Sequence, residues 1–106
     1  MSSWKARRVG MANKKIENEA VDKLFDAILA LENKEECYDF FEDLCTINEI
    51  LDMSQRIEVA SLLRKKCVYQ DITKKTGAST ATISRINRSL NYGNDAYNLI
   101  LDRIEE

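Results

Sequence analysis

The chain has no proline and no histidine, and only three glycines in 106 residues. With so few breakers, helices are interrupted rarely. Without histidine, Cys37, Cys45 and Cys67 have no imidazole to complete a mixed zinc site, and their spacing matches no all-cysteine site. Their odd number fits reduced, partly buried thiols in a cytoplasmic protein rather than a disulfide framework. A Gly-rich phosphate loop is missing, and so is any pairing of a nucleophile with a base. Catalysis is therefore not expected, and no catalytic or metal-binding residue is assigned. The longest apolar runs fall far below the roughly 20 residues that cross a bilayer, and no signal-peptide pattern is visible, so no membrane partner is expected.

What is present is a folded, helix-rich composition, 44% hydrophobic and 32% charged. The length suits one domain or one subunit, with a core modest enough that dimerisation would help. The net charge of −2 and pI of 5.3 hide a segregated pattern. Residues 1–15 carry five cations and no acid, and read as a flexible basic arm. Residues 16–63 hold thirteen acids against three cations, whereas residues 64–88 hold seven cations against Asp71 alone. A basic block of this kind is a local nucleic-acid footprint.

Helical spacing predicts a first amphipathic helix over 16–31 on Ala20, Val21, Leu24, Phe25, Ile28 and Leu31. Its apolar arc is wide enough to imply contacts on two sides, in a subunit interface or deep in a monomer core. Asn33 with Glu36 resembles a capping box before Cys37, Phe40, Phe41 and Leu44. Thr46 with Glu49 is a second box, opening a short helix through Asp52. Ser54 is expected to cap a separate helix with Ile57, Val59, Ala60, Leu62 and Leu63. After a turn cluster at 91–95, Ala96, Leu99, Ile100 and Ile104 predict a last helix. About six helices and no convincing strand result, an all-α fold within a single domain at 16–106.

The stretch 69–90, YQDITKKTGASTATISRINRSL, reads as a helix-turn-helix. Gly77-Ala78 supplies the tight turn, Gly77 because it lacks a Cβ to clash in the left-handed region. Ser79 can cap the second helix, and Ile72, Ala78, Ile83 and Ile86 are placed to hold the two helices together. Thr73, where many such motifs place alanine, predicts a wider crossing or a buried hydroxyl with a backbone partner. Ser79, Thr80, Ala81, Thr82 and Ser84 are expected to face the major groove of double-stranded DNA, where hydroxyls and methyls meet base edges. Gln70, Lys74, Arg85 and Arg88 would meet phosphates or base edges, and Arg64, Lys65 and Lys66 could flank the backbone. With no bidentate reader among these groove-facing residues, water and DNA shape would carry much of the specificity. Ser79 alternatively serves only as a cap.

Three strings carry a resemblance: LCTINE at 44–49, QRIEVASLLR at 55–64 and TGASTATISR at 76–85. Together they resemble the Trp repressor family, and most of all its shorter YerC/YecD-type branch, over about residues 36–104. The resemblance implies an all-helical, intertwined homodimer whose two recognition helices enter successive major grooves of a near-palindromic operator. It also implies a pocket for L-tryptophan, with Thr46, Arg56, Arg85 and Ser89 at the positions of ligand-contacting residues. Two departures argue against that ligand. Ile86 stands where the family has a glycine that leaves room for the indole, and the helix between Arg56 and Leu62 is one residue shorter than in the true repressor. No cofactor is expected, tryptophan or another small corepressor being the alternative. The resulting expectation is a homodimeric, sequence-specific DNA-binding regulator, acting as a repressor, in the bacterial cytoplasm and on the nucleoid when DNA-bound. The rivals are a helical dimeric scaffold whose motif contacts protein, and an amino-acid-responsive repressor.

Overall fold

A computed structural model describes residues 17–105. The basic arm expected at 1–15 and the start of the first expected helix at Ile16 lie outside them. Among the described residues there are six helices and no strand: α1 Glu19–Leu29, α2 Lys34–Leu44, α3 Ile47–Arg64, α4 Tyr69–Thr76, α5 Thr80–Tyr92 and α6 Ala96–Ile104. The chain divides into two compact units, Met1–Leu44 and Cys45–Glu106.

In the first unit, α1 starts later than the apolar pattern alone predicts. Asn18 is its N-cap, its side chain accepting from the Val21 amide at 2.8 Å, and acidic Glu19 and Asp22 favour the positive end of the helix dipole. The box before α2 closes differently from expectation. Asn33 accepts from the Glu36 amide, but the Glu36 carboxylate accepts from the amide of Glu32 rather than that of Asn33. The Phe40 and Phe41 rings meet edge-to-face with centroids 5.6 Å apart. Neither helix contains a buried residue. Phe25, Leu29, Tyr38 and Leu44 are all exposed, Leu29 by 82%. A helix pair without a core of its own is not held by its own burial.

The second unit is built on α3. Thr46 opens it with the complete capping box, the hydroxyl accepting from the Glu49 amide at 3.1 Å and the Glu49 carboxylate accepting from the Thr46 amide at 2.8 Å. The break expected at Asp52–Ser54 does not occur; α3 runs 18 residues without interruption. Ser54 donates to the Leu51 carbonyl one turn back instead of capping. A serine that satisfies its hydroxyl within the helix costs little, and no proline or glycine is there to force a stop. The end of α3 is a left-handed cap made without glycine. Lys66 sits at φ 66°, Lys66 N donates to Leu63 O, and Cys67 N donates to Leu62 O. These are the two bonds of a Schellman motif.

Val59, Ala60, Leu62, Ile72, Ala78, Ile83, Ile86 and Leu101 form the core, where α3 meets α4, α5 and α6. The four residues expected to hold the motif together are all in it. α6 turns a different face inward than expected. Leu101 is 1% exposed and Tyr97 packs beside it, whereas Leu99, Ile100 and Ile104 remain 41–64% exposed. Polar ties secure this packing. Buried Ser61 donates to the Glu105 carboxylate, and Arg64 pairs with Asp102 and donates to the Asn98 carbonyl.

Candidate nucleic-acid interface

The motif is a helix-turn-helix with its turn at Gly77-Ala78. α4 ends on Gly77 in the left-handed region at φ 77°, its amide returning to Thr73 O at 2.8 Å. The second helix runs beyond the expected end at 90, to Tyr92, so Asn91 and Tyr92 are helical rather than part of the turn cluster. Thr73 is exposed, which corrects the expectation of a buried hydroxyl at that position. The hydroxyl that does serve the backbone belongs to Thr76. It donates to Ile72 O at 2.7 Å and accepts from the Ala78 amide at 3.1 Å.

On α5, Ile83, Ile86 and Leu90 turn inward. Ala81, Ser84, Arg85 and Arg88, spaced i, i+3, i+4 and i+7, share the opposite face. Thr80, Ala81, Ser84, Arg85 and Arg88 are exposed, and so are Gln70 and Lys74 one turn apart on α4. Ser79 is the N-cap, its hydroxyl accepting from the Thr82 amide at 3.1 Å and donating to the Thr82 hydroxyl at 3.1 Å. Ser79 and the half-buried Thr82 are thus engaged with each other at the helix start. Thr80, Ala81 and Ser84 are left as the freest short side chains of the expected reading set.

Of the three cations at 64–66 that could flank the DNA backbone, Arg64 has partners within the protein. Its guanidinium is committed to α6, while Lys65 and Lys66 are exposed. The candidate ligand residues are spread over two helices. Thr46 is occupied as the cap of α3, Arg56 is exposed in the middle of α3, and Arg85 and Ser89 lie one turn apart on α5. Ile86 is 3% exposed and belongs to the core. An open cleft in this unit is lined by Leu51, Asp52, Ser54, Gln55, Glu58 and Thr76, and by none of those four residues. Gln55 is the positioned side chain that sequence patterns did not reveal. Its amide donates to Thr76 O at 3.0 Å across 21 positions, a separation over which no periodicity reports.

No described helix is long and apolar enough to cross a membrane. Among the described residues no cluster of histidine, cysteine and carboxylate side chains is grouped as a metal site would need.

Comparison with known proteins agrees with this architecture. Residues 19–105 match the family model described as Trp repressor protein. The uncharacterized protein YerC of Bacillus subtilis (strain 168) is 58% identical over 92 residues, covering 87% of this chain and 88% of that one. The crystal structure of a TrpR-like protein from Eubacterium eligens ATCC 27750 is similar with a TM-score of 0.84 at 62% identity, covering 87% of this chain and 95% of that one. A Staphylococcus aureus crystal structure has the same TM-score of 0.84 at 57% identity, covering 89% and 94%. The match spans the helix-turn-helix and all six described helices, and at these identities it concerns sequence as well as shape: the chain belongs to the Trp repressor family.

Proposed function

We propose that this protein is a sequence-specific DNA-binding regulator, a repressor, that acts as a homodimer and needs no tryptophan. The observation that carries this reading is the outward face of α5. Thr80, Ala81, Ser84, Arg85 and Arg88 are exposed together, over a helix anchored from behind by Ile83 and Ile86. Short polar and methyl-bearing groups near the N-terminal end can approach base edges. Arg85 and Arg88, further along, meet phosphates with Gln70 and Lys74 of α4. The basic block at 64–88 supplies the electrostatic attraction, and family membership supports DNA as the partner.

The dimer is supported by unpartnered apolar surface. Among the described residues of the first unit none is buried, and in the second Ile47 and Leu51 on α3 and Leu99, Ile100 and Ile104 on α6 are exposed. Apolar surface at that density is characteristic of a subunit interface. Two recognition helices would then address half-sites about 34 Å apart. The independence from tryptophan is supported by Ile86 in the core and by the hydroxyl of Thr46 being engaged as a helix cap. A pocket rebuilt around Ile86 would have to accommodate overpacking of about 1–3 kcal/mol.

The test is fluorescence anisotropy with fragments selected from a genomic DNA pool and with random DNA. Each is titrated with salt, with and without L-tryptophan. Selected fragments should bind more tightly than random DNA, with affinity falling steeply as salt rises and unchanged by tryptophan. Arg85→Ala should weaken binding to both DNAs and lower the salt slope by about one, whereas Thr80→Ala should alter sequence preference. Absence of binding even at low salt would favour a scaffold instead.

A further inference from the structure

The turn of the motif is bound to α3 by a single directional tie. Gln55 Nε2 donates to Thr76 O at 3.0 Å, and the same nitrogen lies 4.0 Å from where a Cβ on Gly77 would be. The Thr76 carbonyl is among the last of α4, which have no partner within the helix. On the other side of the turn, Thr76 Oγ1 joins Ile72 O to the Ala78 amide. Between them, Gln55 and Thr76 satisfy the polar groups flanking the left-handed residue from which α5 departs. The other side-chain ties reaching out of α3, among the described residues, run to α6 and its C-cap from Ser61 and Arg64.

Ile72, Ala78 and Ile83 also hold the turn, but apolar packing is non-directional and tolerates small rotations. A hydrogen bond restricts angle as well as distance. Gln55 is half-buried beside an open cleft, so water competes for its amide and the bond is of moderate strength.

We propose that Gln55 is a positioning residue of the DNA-reading surface. Its amide braces the helix-turn-helix turn from α3 and sets the angle at which α5 is presented. This deepens the DNA-binding reading above and rests on it. Gln55 touches the turn and acts through α5. Loss of the brace should therefore blur discrimination between DNA sequences while leaving the number of phosphate contacts unchanged.

The test uses the full chain with Gln55→Glu, which keeps the shape but removes the donor at neutral pH, and Gln55→Leu, which removes all polarity. The first measurement needs no DNA. Amide hydrogen exchange should be several-fold faster at Gly77 and Ala78 in both variants, with Val59, Ile72 and Ile83 unchanged. Wild-type protection at the turn in both variants would overturn the brace. The second measurement is the ratio of affinities for a selected fragment and for random DNA, each with a salt titration. The ratio should fall roughly three- to tenfold, the change expected from one moderate hydrogen bond, at an unaltered salt slope. An unchanged ratio, or an equal loss on both DNAs, would overturn the positioning role. If the wild-type protein bound no DNA, the DNA reading would fail with it, while the exchange result would still decide the brace.

Discussion

Replacing Gly77 by alanine isolates backbone strain from steric clash. Gly77 lies at φ 77°, and a β-carbon there would meet nothing nearer than Gln55 Nε2 at 4.0 Å. Space is therefore not the obstacle. An L-residue in the left-handed region costs about 1–2 kcal/mol. Alanine also narrows the unfolded ensemble relative to glycine, which returns about 0.4–1 kcal/mol. The net expectation for Gly77→Ala is a loss of about 1 kcal/mol, measured by urea unfolding with far-UV circular dichroism. Protein concentration must be held constant because an oligomer's stability depends on it. Gly77→Asn should lose less, because asparagine tolerates this region better than alanine. Gly93 is the control. Its φ is −88°, but a β-carbon would stand 2.6 Å from the Ser89 carbonyl oxygen, so asparagine there should be no better than alanine. Equal stability of Gly77→Ala and wild type, or a Gly77→Asn as damaged as Gly77→Ala, would refute the argument.

Lys66 is the converse case, a lysine at φ 66°, and Lys66→Gly should stabilise by about 0.5 kcal/mol in the same unfolding assay as left-handed strain is relieved. Ile83 is fully buried, so Ile83→Ala should cost about 2–5 kcal/mol, read as a lower urea midpoint. Thr46→Ala removes a complete capping box and should cost about 1 kcal/mol, equally with and without L-tryptophan in a thermal melt.

Much of the motif was legible because its signals are local. A cap and its partner lie three residues apart, as at Thr46 and Glu49 or Ser79 and Thr82, and Gly77 marks a turn within two residues of the helices it joins. Inward positions at 72, 78, 83 and 86 follow from the helix period once that turn is placed. Where two local signals competed, the sequence misled. Ser54 has the chemistry of a cap but bonds back within an uninterrupted α3. α6 is apolar on more than one face, so periodicity alone did not select Tyr97 and Leu101 over Leu99, Ile100 and Ile104.

By itself, then, the sequence determined most of the helices, the caps at Thr46 and Ser79, the turn at Gly77 and the basic, outward character of α5, all of which depend on neighbours within about one helical turn. Tertiary structure alone decided which face of α6 is buried, that Arg64 pairs with Asp102 instead of remaining free for phosphate, and that Gln55 reaches Thr76. Those outcomes join residues 21 and 38 positions apart, or choose between apolar faces of equal local merit, and only the packing of α3 against α4, α5 and α6 brings such partners together.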